Sequence, residues 1–210
     1  MPNNIASARL LCLAAACAAT LVAAAPADAE RARKPLHRQP GLALPETPAQ
    51  RAKILENLYA HLATAEDAQS AAPFVEAIER IWLHSGSDTI SLLMERSLKA
   101  MAAKNPELAL KLLDTVVELA PDFAEGWNRR AYVYYMQSDY ERALGDLRRV
   151  LALEPSHFKA LDGLAQILRE IGEKQAAIKA YQQLLQVHPN WAGAQDAIDG
   201  LTREIEGRGI

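Results

Sequence analysis

Cysteine is nearly missing from this 210-residue sequence: only Cys12 and Cys17 occur, both close to the start. Two cysteines cannot staple a fold, and no Cys-rich zinc pattern is possible. Aromatics are scarce as well, with 3 Trp, 6 Tyr and 3 Phe. Charge of one sign is not in excess, since 23 basic residues face 26 acidic ones for a net charge of −3. That balance argues against a dedicated nucleic-acid binder, which would be strongly basic. With 10 Gly and 11 Pro, the composition is neither collagenous nor broadly disordered. The longest uncharged apolar run, Leu10 to Ala25, has 16 residues, short of the roughly 20 that a membrane helix needs.

Catalytic signatures are absent too. The five histidines are His37, His61, His84, His157 and His188. None stands three or four residues from another, so no helical metal pair and no His-Glu-x-x-His exist. There is no Gly-rich phosphate loop and no Gly-x-Ser-x-Gly elbow. The carboxylates are scattered along helical stretches, where solvated faces and i,i+4 pairing account for them. Nothing here supports an enzyme, a cofactor or a metal site, and the histidines read as surface or capping residues.

What is abundant is alanine: 40 residues, 12 of them in the first 29. Met1 to Arg9 is a short polar stretch with one positive side chain, followed by the apolar run. Pro26 ends the run, and Ala27-Asp28-Ala29 offers the small-x-small pattern that a signal peptidase reads. Residues 1–29 are therefore expected to be an export signal cut after Ala29, giving a periplasmic protein. An uncleaved membrane anchor is the alternative, and lipidation at Cys17 is weakly supported because apolar residues continue past it. Membrane contact is expected only in those two cases. Residues 30–48, with Pro35, Pro40, Pro45 and Pro48 and a basic start, read as a disordered tether.

The remainder is organised by repetition. Pro121, Pro155 and Pro189 are 34 residues apart, and Ala109, Ala143 and Ala177 each stand twelve residues before one of them. An aliphatic residue follows each alanine: Leu110, Leu144 and Ile178. Each proline is followed by a helix-capping residue, Asp122, Ser156 or Asn190. A small alanine lets two helices approach closely, proline closes the unit because it cannot continue a helix, and the cap opens the next. Within the first unit the apolar spacing of Leu108, Leu112, Leu113, Val116 and Val117 is helical. Asn105-Pro106 supplies the turn between its two helices; Gly172 does so in the third. The fold class expected is all-α.

These columns resemble the tetratricopeptide repeat (TPR) family, a 34-residue helix–turn–helix with a Trp…Leu-Gly…Tyr…Ala…Phe…Pro pattern. The middle copy fits best, through Trp127, Tyr134, Ala143, Leu147 and Pro155. The third offers Leu164, Ala165, Gly172, Ala177, Tyr181 and Pro189, and the first keeps only Ala109, Leu113 and Pro121. The resemblance implies three repeats over residues 88–191 (about 90–123, 124–157 and 158–191) in an α-solenoid. An irregular hairpin at 49–87 is expected to cap one end, and a helix within 192–210 the other.

Family geometry further implies a concave face made by the first helix of each unit. That face should present Met94, Leu98 and Met101, then Glu125, Asn128, Arg129, Tyr132 and Tyr135, then Lys159, Asp162, Gln166 and Arg169. Trp127 and Tyr134 fill packing positions instead. The clamp with which chaperone-binding members hold a terminal carboxylate would fall on Met94, Leu98, Arg129, Lys159 and Gly163, of which only Lys159 matches. The expected function is a non-catalytic protein- or peptide-binding module of the bacterial envelope; the alternative is a structural or oligomerising scaffold without a peptide ligand.

Overall fold

A computed structural model describes residues 44, 45 and 47–207. The export signal, its cut at Ala29 and most of the tether lie outside those residues. The described chain is helical: α1 (Pro48–Ala63), α2 (Ala68–Leu83), α3 (Asp88–Ala102), α4 (Pro106–Leu119), α5 (Ala124–Met136), α6 (Tyr140–Leu153), α7 (Phe158–Glu170), α8 (Lys174–Val187) and α9 (Ala194–Glu206). Pro48 thus belongs to α1 rather than to the tether. It sits in the first helical turn, where its missing N–H costs nothing, behind a capping box formed by Thr47 and Gln50.

Helices α3 to α8 form three stacked hairpins, α3–α4, α5–α6 and α7–α8. The alanine column makes them close: Ala109, Ala143 and Ala177 are each 0% exposed. Turns within hairpins follow local chemistry. Asn105 caps α4 by accepting from the Leu108 N–H at 3.0 Å, and Gly172 takes the left-handed conformation, φ +84°, that a side chain resists. The caps between hairpins fall differently from expectation. Helices α5 and α7 begin one residue late, with Phe123 and His157 at the cap positions, and Phe123 offers no side-chain acceptor. Asn190 caps nothing, because α9 starts only after Gly193.

Adjacent hairpins are tied by charge as well as by apolar packing. Arg130 on α5 donates to both oxygens of Asp146 on α6, each at 2.8 Å, and to Asp114 on α4 at 2.8 Å. The same guanidinium lies 4.9 Å from the Trp127 ring centroid. Helix α9 covers the last hairpin with Ala194 and Leu201.

The N-terminal hairpin departs from the expected end-cap position. Helices α1 and α2 share their apolar core with α7, α8 and α9: Leu55, Leu58, Leu62, Ile78, Ile81 and Trp82 pack with Phe158, Leu161, Ala165, Tyr181 and Leu184. The hairpin lies along the edge where successive units join. Arg51 pairs with Glu154, and Asn190 Nδ2 donates to the Ala65 carbonyl at 2.8 Å. The physical reason is an aromatic seat. Trp82 stacks on His157 at 3.7 Å between ring centroids, tilts against Phe158 at 4.6 Å, and donates through Nε1 to the Tyr59 hydroxyl at 3.1 Å. The upstream end of the stack is left open instead. Leu92 and Lys99 are exposed there, whereas their counterparts one unit later, Gly126 and Val133, are buried.

Candidate functional site

Helices α3, α5 and α7 stand side by side, and their shared face holds a cavity of about 480 Å³. Its floor is apolar and buried: Leu113, Ala131, Val133, Leu147 and Ile167. Its rim is mixed. Of the twelve residues named from the repeat geometry, ten line it, nine of them being Leu98, Met101, Asn128, Arg129, Tyr132, Tyr135, Lys159, Asp162 and Gln166. Glu125 is the tenth.

Two named residues fall elsewhere. Met94 is buried in the core of the first hairpin beside Ile90, Ala100 and Leu113. The buried face of α3 is Ile90, Met94, Ser97 and Ala100, which leaves Leu98 and Met101 turned to the cavity. Arg169 lies one turn beyond the rim, near Glu170 at 3.8 Å. Conversely, Trp191 and Ser97 line the cavity without having been singled out. Trp191 ends the third repeat; the left-handed Gly193 delays α9 to Ala194 and leaves the indole in the turn. It packs on Phe158 at 5.5 Å and on His188 at 5.4 Å.

Exposure separates the aromatic residues. Tyr134 is 7% exposed and belongs to the core, whereas Tyr132 is 57% exposed and Leu98 50%. Tyr135 is half-buried, held by Tyr140 at 6.0 Å. The cavity therefore combines fixed apolar walls with side chains left bare to solvent.

The charged groups of the rim are mostly spoken for. The buried Glu125 carboxylate accepts from Asn128 Nδ2 at 2.9 Å and from Arg129 Nε at 3.0 Å. Behind it stands His157, 0% exposed. Its Nδ1 accepts from the Ala160 N–H at 3.2 Å and so caps α7, which puts the ring proton on Nε2, 3.4 Å from Glu125 Oε2. Burial alone would raise the Glu125 carboxyl. His157, Arg129 and Asn128 outweigh it and hold the group below the usual carboxylate range. Lys159 pairs with Glu79 of α2 at 2.8 Å. Asp162 accepts from Gln166 at 2.6 Å, and here burial prevails over Gln166, Trp191 and Arg169, so its carboxyl is raised. Histidines were expected at the surface or as caps; among the four described ones His157 does cap α7, but it and His188 are not at the surface. His157 and His188 are buried because both sit in the aromatic seat of the N-terminal hairpin.

Family models of the tetratricopeptide repeat match residues 124–157 and 159–190. A TPR repeat-containing protein of Rhizobium etli is 37% identical over 153 residues, which are 73% of this chain and 75% of that protein. The chain belongs to the tetratricopeptide repeat family. Solved TPR structures share the fold. The first TPR domain of Spaghetti (RPAP3), bound to the HSP90 peptide SRMEEVD, aligns with a TM-score of 0.55 at 19% identity, over 57% of this chain and 95% of that one. The Sgt2 TPR domain from Aspergillus fumigatus aligns with a TM-score of 0.54 at 21% identity, over 59% and 84% respectively. The matched TPR units are the second and third hairpins, whose facing helices α5 and α7 form the cavity with α3.

Proposed function

We propose that this TPR protein is a non-catalytic interaction module that holds a protein or peptide segment in the α3–α5–α7 cavity. The observation that carries the reading is the bare rim: Tyr132 and Leu98, each at least half exposed, overhang an apolar floor. In a monomer, large side chains exposed over an apolar cleft mark a binding surface. Met adapts to the shape of a guest, and Tyr and Arg recur as interface hot spots. The TPR domain of Spaghetti (RPAP3) with its bound HSP90 peptide supports the class of ligand. Export to the bacterial envelope is part of the same proposal and rests on the sequence of residues 1–29.

Acidic C-terminal tails are not the favoured guests. Of the clamp positions only Lys159 is of the right type, and Glu79 already neutralises it.

The test is co-purification from an envelope fraction. Replacing Tyr132 and Tyr135 together by Ala should weaken partner capture at least about tenfold, since each aromatic hot spot contributes on the order of 2 kcal/mol. Circular dichroism should show unchanged helicity. Capture that survives the double substitution overturns the groove reading.

A further inference from the structure

The cavity wall contains two carboxylates and two fixed cations, and their pairing is unequal. Glu125 is held by Arg129 and faced by His157, while Lys159 is drawn away to Glu79. Asp162 has no Lys or Arg within ion-pair distance among the described residues. It keeps only a neutral donor, Gln166 at 2.6 Å, and the Trp191 indole. Arg169, two turns further along α7, is directed to Glu170. Counting each group with its partner, the rim carries one uncompensated negative charge. It lines the same cavity as the apolar floor and the rings of Tyr132 and Tyr135.

Burying a carboxylate without a counter-charge is costly, and a guest that seals the cavity from water would increase that cost. A guest that brings its own cation removes it. Tyr132 and Tyr135 add to the preference, because their ring faces attract an ammonium or guanidinium group. An acidic guest meets the opposite: a like charge beside Asp162, and cations already satisfied by Glu125 and Glu79.

On the groove reading given above, we infer that the guest is a largely apolar segment carrying a basic side chain, with Asp162 as the residue that selects for that charge. The floor takes the apolar residues, and the Asp162 carboxylate takes the Lys or Arg between them. The raised Asp162 carboxyl agrees with this placement, since desolvation there outweighs the hydrogen bonds of Gln166 and Trp191 and the more distant charge of Arg169.

The probe is three fluorescein-labelled peptide pools with amidated C-termini, equal in length and randomised over Leu, Met, Phe and Ala. They differ only in a central Lys, Gln or Glu. Fluorescence polarisation against the full chain should rank them Lys, then Gln, then Glu, with Lys over Glu about tenfold or more, the factor that a single well-placed charge contributes. Asp162→Asn should bring Lys and Gln within about twofold of each other, and Asp162→Glu should keep the preference. Equal or reversed ranking in the unmodified chain, with binding still lost in the Tyr132→Ala, Tyr135→Ala double variant, overturns the charge inference and leaves the groove reading standing. Binding of every pool that ignores the tyrosines overturns both. The ranking is read on the unmodified protein, so it does not depend on any variant folding.

Discussion

Gly126 in the first turn of α5 and Gly145 inside α6 are both helical, yet their surroundings give them opposite roles. A Cβ at Gly126 would stand 2.7 Å from Val116 Cγ1, and Val116 is itself fully buried; at Gly145 nothing lies within 4 Å. Overpacking a rigid contact costs about 1–3 kcal/mol, while replacing helical Gly by Ala returns up to about 1 kcal/mol. Gly126→Ala should therefore lower the urea midpoint, and Gly145→Ala should raise it by up to that 1 kcal/mol equivalent. Shifts in the same direction would show that Val116 yields and α4 and α5 can part. A second residue-scale effect concerns protons. His188 is 6% exposed between Phe158 and Trp191, its Nδ1 finds no hydrogen-bond partner, and burial lowers its pKa below 6.5. The unfolded chain thus binds this proton more readily than the folded one, so stability falls as pH drops from about 6.5 through the folded value. Denaturation midpoints measured between pH 7.5 and 5 should show that loss, and His188→Gln should reduce it. A midpoint independent of pH across that range contradicts the assignment.

At the scale of helices and hairpins, the α1–α2 unit hangs on one aromatic seat. Trp82 contributes the stack on His157, the contact with Phe158 and the hydrogen bond to Tyr59. Trp82→Ala should cost about 3–5 kcal/mol. Hydrogen exchange should localise the loss, with amides of α1 and α2 deprotected and those of α4 and α5 retained; uniform deprotection would mean that the hairpin is no separable unit. The same elements show what a sequence discloses. Hairpins α3–α4, α5–α6 and α7–α8 were legible because the alanine and proline columns report contacts between near neighbours in the chain. Caps were read one residue early at Asp122 and Ser156, because the loop closes through its own backbone turn before Phe123 and His157 enter the helix. Where the hairpin docks was not legible, since its seat is built from Phe158 and His157, far along the sequence. In the cavity, Tyr132, Leu98 and Asp162 followed from repeat geometry. The pairing of Lys159 with Glu79 did not, because Glu79 reaches it only through that docking. Met94 was misplaced for a local reason: on α3 it shares the buried face of Ile90, Ser97 and Ala100.

For the molecule as a whole, an ordinary solenoid is held by contacts between neighbours and unzips from its ends. This one is closed by ties of long span. Arg51 meets Glu154 across 103 residues, and Asn190 meets Ala65 across 125. The second tie has a consequence for biosynthesis. At about 5–20 residues per second, roughly 6–25 s of translation separate Ala65 from Asn190. Over that interval the apolar face of α1 and α2 has been made while its seat has not. The hairpin is the first part of the helical array to emerge and among the last to find its place, so a holding factor that shields it until α8 is complete should raise the yield of native protein.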